Sequence, residues 1–333
     1  MQIPEPRGPL SASLRDCLVG RRRAPGAPVA PGGDPLADDD LQLALFLVHE
    51  LSYGGLDGVD DDWEFDPSLI RFRATLEEAV LDALFGGVGP PRPCPPADVS
   101  GEILALIESD DGPPLARFIE KTAGLDQFRE FVIHRSAYQL KEADPHTFGI
   151  PRITGAAKAA MVEIQADEYG GGDAERMHSA LFATTMRELD LDPTYGAYVA
   201  LLPASTLTTV NLISLFGLRR RWRGALVGHL AGFEITSPQP NRRYANGLRR
   251  LGLGAEATEF FDEHVEADSV HENIAAYDLA GGLARQEPGL AGDILFGVRA
   301  LLFCESRFAG HILDSWERGE SSLIGDKATR TAA

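Results

Sequence analysis

From Gly101 to Glu317 apolar residues return every three or four positions, and no stretch of useful length alternates in the period of two that a half-buried strand requires. This periodicity runs through segments such as LDQFREFVIHRSAYQL, TGAAKAAMVEIQADEY, RGALVGHLAGFEI and GDILFGVRALLFCESRFAGHILDSWE. Proline steps at Asp144-Pro145, Asp192-Pro193, Ser237-Pro238 and Glu287-Pro288 punctuate it. The sequence therefore predicts an all-α helical bundle of about seven core helices with N-terminal helical additions.

Composition changes along the chain. Residues 1–38 are rich in Pro, Gly, Ala and Arg and lack a sustained apolar period, so they are expected to be a mobile leader dispensable for chemistry. Residues 39–98 read as an N-terminal helical extension, LQLALFLVHEL and SLIRFRATLEEAVLDALF, ending in the linker GGVGPPRPCPPAD. The bundle is expected over 99–322, with a flexible tail at 323–333. The apolar segment Tyr195–Leu218 contains Pro203, Ser205, Thr206, Thr208, Thr209 and Asn211, groups costly against lipid, and reads as buried helix.

A formal net charge of −19 disfavours nucleic acid or an anionic membrane as the main partner. A small-molecule substrate is the expected partner; a homodimer and an external electron donor are compatible with the reading. Cys17, Cys94 and Cys304 are isolated and odd in number, which indicates neither a disulfide framework nor a thiolate zinc site. With no export signal evident, a cytoplasmic location is expected.

Two stretches carry metal-type side chains at helical spacing: Glu168-x6-Glu175-x2-His178 and His264-x3-Asp268-x2-His271. On the second, the three groups fall at about 0°, 40° and −20° around a helix whose other side is apolar, so all three face one way. A hydrogen-bonded structural cluster is the bland alternative. Both stretches contain a carboxylate-x-x-His step, the arrangement from which facing helices build di-iron carboxylate sites. The first stretch shares one stripe only if a helix runs through Gly170, Gly171 and Gly172, at about 1 kcal/mol per glycine. Otherwise the triplet ends a helix and Asp173 caps another beginning at Ala174. Glu234, the acid of an otherwise apolar helix, is a further candidate, unless it is simply exposed at the helix end near Thr236.

Further residues share these types without the full pattern. Glu130 with His134, and Glu163 with Asp167, also stand at i, i+4; His49 adjoins Glu50, while His146, His229 and His311 stand alone. Arg219–Arg221 with Arg223 read as a solvated helix start or a site for an anionic substrate.

The runs IPRITGAAKAAMVEIQADEYGGG, ERMHSALF, LPASTLTTVNLISLFGLRRRWRGALVGHLAGFEITS and FFDEHVEADSVHENIA resemble the iron-containing redox enzymes called haem-oxygenase-like di-iron oxidases, over about residues 41–320. The most specific elements are EYGxG with a His ten positions after its Glu, and H-x3-D-x2-H. The resemblance implies a seven-helix haem-oxygenase-like bundle, two Fe(II) ions per chain and O2 as co-substrate. It implies metal ligands at Glu168, His178, Glu234, His264, Asp268 and His271, with Glu175 as the extra carboxylate of N-oxygenating members. The implied activity is an O2-dependent oxidase or oxygenase acting on a small metabolite, by N-oxygenation or by oxidative C–C cleavage or desaturation. A haem-handling or cofactor-independent enzyme on the same bundle, or a non-catalytic metal-binding protein, is the alternative.

Overall fold

The computed structural model describes residues 1–26 and 32–325, and among these there are helices and turns but no strand. Helices α1 (Pro9–Leu18), α2 (Asp39–Glu50) and α3 (Pro67–Val88) precede the bundle proper. Asp38 and Asp66 cap α2 and α3 by accepting from backbone amides of the first turn, and Pro67 supplies a first-turn residue with no amide to satisfy. The bundle continues through α4 (Val99–Glu108), α5 (Leu115–Lys121), α6 (Leu125–Gln139), α7 (Ala143–Thr147), α8 (Gly155–Glu168) and α9 (His178–Glu188). It closes with α10 (Ala204–Leu218), α11 (Arg223–Thr236), α12 (Pro238–Arg250), α13 (Ala255–Asn273), α14 (Gly281–Gln286) and α15 (Ala291–Glu317).

The N-terminal residues differ from the expected mobile leader. Leu10, Leu14, Cys17 and Leu18 of α1 are buried, α1 packs on α2, and the Arg7 guanidinium donates to the carbonyl of Val199 at 2.9 Å. Ten residues with apolar side chains at i, i+4 and i+8 suffice for one buried stripe, a signal masked by the surrounding Pro, Gly and Arg. Helix α2 is likewise part of the core, buried from Leu41 to Glu50 against α10. Of the expected tail, Leu323 is buried and Ile324 donates its amide to Leu201 at 2.8 Å; residues 326–333 lie outside the described residues.

Helix α10 is the buried helix read from the apolar segment, and no helix of the described residues is long and apolar enough to cross a membrane. Most of its polar side chains have partners, as burial demands; the buried Ser205 hydroxyl is the exception. Thr208 donates to the Leu36 carbonyl at 3.0 Å, and the Asn211 amide donates to the Gln42 carbonyl at 2.9 Å. Against it, α11 and α15 cross at close range because Gly228 and Gly297 face each other's backbones. A Cβ on Gly228 would sit 1.9 Å from the Ile294 carbonyl oxygen, and one on Gly297 2.0 Å from that of Ala225. After Asn273 the helix of α13 widens into a π-helical segment, Ile274–Ala280, and Ser100 Oγ donates to the carbonyl of Ala276 at 2.7 Å. Such widenings recur beside functional sites.

Candidate metal centre

Helix α6 ends at Gln139, the chain turns through Leu140 and Lys141, and Glu142 opens α7. Lys141 anchors this turn from behind. Its ammonium pairs with buried Glu50, lies 4.1 Å over the Tyr53 ring, and shares Glu50 with the Tyr195 hydroxyl at 2.9 Å. The Glu142 carboxylate is thereby turned inward, 6% exposed. Helix α8 ends on Glu168, also buried, and the following Tyr169 hydroxyl donates to Asp144 at 2.8 Å, tying α7 to α8.

The three glycines then reverse the chain. Gly170, Gly171 and Gly172 have φ of +64°, +62° and +91°, the left-handed region, so the continuous helix through Glu168, Glu175 and His178 does not form. The next helix begins at His178 rather than at Ala174. This tight turn brings His178 Nδ1 to 3.0 Å from Glu168 Oε2. Glu175 is left exposed on the turn, its amide donating to Asp173 at 3.0 Å, and it does not join the inward-facing groups.

Helix α13 supplies the facing wall. His264 Nδ1 donates to the Phe260 carbonyl at 2.7 Å, which directs Nε2 toward Glu142 Oε2 at 3.5 Å. In the neutral ring that outward nitrogen carries the lone pair, the form a metal takes. The rings of His264 and His178 have centroids 4.3 Å apart. One ligand atom from each of Glu142, Glu168, His178 and His264 lies within 4.8 Å of the others, and all four residues are buried. Burial and then the neighbouring Glu168 carboxylate push the Glu142 carboxyl above its ordinary range, an effect His264 and His178 oppose. Glu168 Oε2 and His178 Nδ1 are buried and, although close, make no hydrogen bond. Two acids and two imidazoles so enclosed fit a cation better than they fit one another.

Two turns farther along α13, His271 meets a second group. Its Nδ1 lies 3.3 Å from Glu234 Oε2 on α11, and its Nε2 2.8 Å from Asp167 Oδ2 on α8. Glu234 is 3% exposed, so it is not an acid left in solvent at the helix end. Asp268 belongs to α13 between His264 and His271, but its side chain lies outside the described residues. His264 and His271 are about 10 Å apart along the helix axis, the length of two turns.

Two participants are not legible in residue spacing. Glu142 carries no motif, and the metal-type pair at helical spacing on the preceding segment, Glu130 with His134, points away from it. Asp167 stands four residues after Glu163, a spacing common on solvated helix faces, yet it is Asp167 that reaches His271. The remaining histidines have structural partners. His134 bonds Thr206 at 2.6 Å and Ser322 at 2.9 Å, His49 bonds Glu77 at 3.0 Å, His146 bonds His229 at 3.2 Å, and His311 bonds the Ser322 carbonyl at 2.8 Å. Arg219, Arg221 and Arg223 pair with Glu77, Asp293 and Glu287, so three of the four guanidiniums of the basic segment are already matched by acids. Cys304 is buried on α15 with its thiol pushed up to about 12 by burial, unsuited to nucleophilic chemistry.

The sequence model for iron-containing redox enzymes matches residues 129–306. Nitrosourea synthase of Streptomyces achromogenes subsp. streptozoticus is 26% identical over 160 residues, covering 48% of this chain and 34% of that enzyme. The match thus spans about a third of the relative's length. A CADD-like protein of unknown function from Nostoc punctiforme PCC 73102, solved twice, superposes with TM-scores of 0.52 and 0.51 at 15% and 14% identity. The superpositions cover 65% and 68% of this chain and 96% and 97% of that one, a likeness of fold.

Proposed function

Because the chain belongs to the iron-containing redox enzyme family, we propose that it is an O2-dependent non-haem di-iron oxidase or oxygenase acting on a small metabolite. The observation that carries this is the buried set Glu142, Glu168, His178 and His264 with ligand atoms within 4.8 Å of one another. These four would hold one iron. Glu234 and His271, with Asp268 as the family resemblance implies, would hold the second, and Asp167 would orient His271 from outside. Iron held there would supply the one-electron chemistry that O2 requires and that side chains lack.

The chain's own residues do the rest. Phe260 fixes the His264 tautomer through its carbonyl, so that imidazole offers Nε2 to the centre. Lys141 and Glu50 hold the turn that aims Glu142. The buried surroundings of Glu142, Glu168, His178, Glu234, His264 and His271 exclude bulk water, which protects a reactive centre from side reactions. Between the two outcomes considered, N-oxygenation is favoured: the matched relative is named for making a nitrosourea, a product with an oxidised nitrogen.

Anaerobic titration with Fe(II), followed by admission of O2, tests this reading. Retention of two irons per chain and a transient visible absorbance are expected. Protein that retains no iron and gives no optical change on oxygenation would end it.

A further inference from the structure

A cavity of about 220 Å³ opens beside the centre, past exposed Asp110 at its rim. Its inner wall is formed next to the ligands by the same elements that carry them. Gln139 stands three residues before Glu142, Phe182 four after His178, Phe261 three before His264, and Phe233 adjoins Glu234; all four line the cavity. Phe182 and Phe261 stand about one helical turn, roughly 5 Å along the axis, from His178 and His264 on α9 and α13. Gln139 bridges the two. With its amide oriented to satisfy both ends, the nitrogen donates to both Glu142 oxygens at 2.8 Å.

The lining is chemically selective. Six aromatic rings contribute to it, Phe131, Phe182, Phe233, Tyr244, Phe261 and Phe308. Its charged side chains are Asp110, Arg135 and Glu305, two carboxylates against one guanidinium. Arg135 is committed already: it donates to both Glu305 oxygens, at 3.0 and 2.6 Å, and lies 4.3 Å over the Phe308 ring. A carboxylate ligand would find no unpaired cation in this lining. Aromatic faces and a rim carboxylate attract a cation instead.

We infer that this cavity is the substrate site and that its ligand is a small amine with a flat apolar body, not a fatty acid or other carboxylate. The term substrate rests on the iron-centre reading above; the ligand chemistry rests on the lining alone. The volume suits a metabolite smaller than a drug-sized molecule.

Calorimetry on the full chain, with and without Fe(II), compares phenethylamine, phenylacetate and decanoate. Phenethylamine is expected to bind saturably and at least tenfold more tightly than either acid. Ala116→Trp, at a half-buried lining position, should weaken it tenfold or more, while Asp110→Lys, at an exposed one, should weaken it severalfold and favour phenylacetate. Acids that bind as tightly as the amine, or amine affinity unmoved by both variants, overturn the inference. Fe(II) titration of the same samples separates the two readings. Iron retained without amine binding removes the cavity assignment alone, and amine bound by a chain that retains no iron removes the iron centre while upholding the ligand class.

Discussion

Glu168 Oε2 and His178 Nδ1 stand 3.0 Å apart across a turn of three left-handed glycines, close enough to share one ion and not hydrogen-bonded to each other. Ten residues of sequence thus bring an acid from one helix end to an imidazole at the next helix start. That pair, with Glu142 and His264, makes the metal reading directly testable.

Removal of any of the four enclosed groups is expected to lower Fe(II) affinity more than removal of Glu175. His178→Ala and Glu142→Gln should each weaken Fe(II) binding at least tenfold in an anaerobic titration, beyond the effect of an outer partner such as Asp167→Asn, at about 10-fold. Glu175→Gln should leave it unchanged, since that side chain is exposed. Equal losses in Glu175→Gln and Glu142→Gln would contradict the assignment of Glu142.

The glycine turn is expected to be intolerant at one position and lenient at the next. A Cβ on Gly170 would lie 2.6 Å from the backbone at Arg176 and Met177, besides the strain of φ +64°, whereas one on Gly171 would meet open space. Gly170→Ala should cost about 3 kcal/mol or more, and Gly171→Ala about 1 kcal/mol from backbone strain alone. Urea unfolding measures both. Only the first should also depress Fe(II) affinity, by pushing His178 away from Glu168.

The anchor behind Glu142 should behave as a buried ion pair. Lys141→Met leaves the Glu50 carboxylate buried without its cation and should destabilise the protein by about 3–5 kcal/mol, while Lys141→Met with Glu50→Gln should recover much of the loss. A double variant no more stable than the single one would show that the pair does not act as a unit.

Acid should destabilise this fold through its buried imidazoles. Burial pushes the His229 ring down from 6.5 to about 3, and His146 beside it is also lowered, by burial and by His229. The unfolded chain takes up these protons near pH 6.5 and the folded one does not, so the stability is present above that value and is lost as pH falls toward 3. His229 alone contributes a loss of about 2 kcal/mol between pH 7 and pH 5. His229→Gln should flatten that part of the profile in denaturant titrations at fixed pH values; an unchanged slope would remove His229 as its source.

Helices and part of the candidate site are written in local sequence. Periodicity of 3.6 is a short-range property, so α2, α3, α10 and α13 are legible from apolar spacing, and the common face of His264 and His271 follows from their offset of seven. Which acids turn inward is settled instead by packing between distant segments. Glu142 and Glu175 are chemically alike in the sequence, yet one is held inward by a turn anchored through Lys141 to Glu50, a residue 91 positions away, and the other is displaced outward by the glycine turn. Side-chain burial is set by what packs over a residue from distant parts of the chain, and short-range pattern carries no record of that.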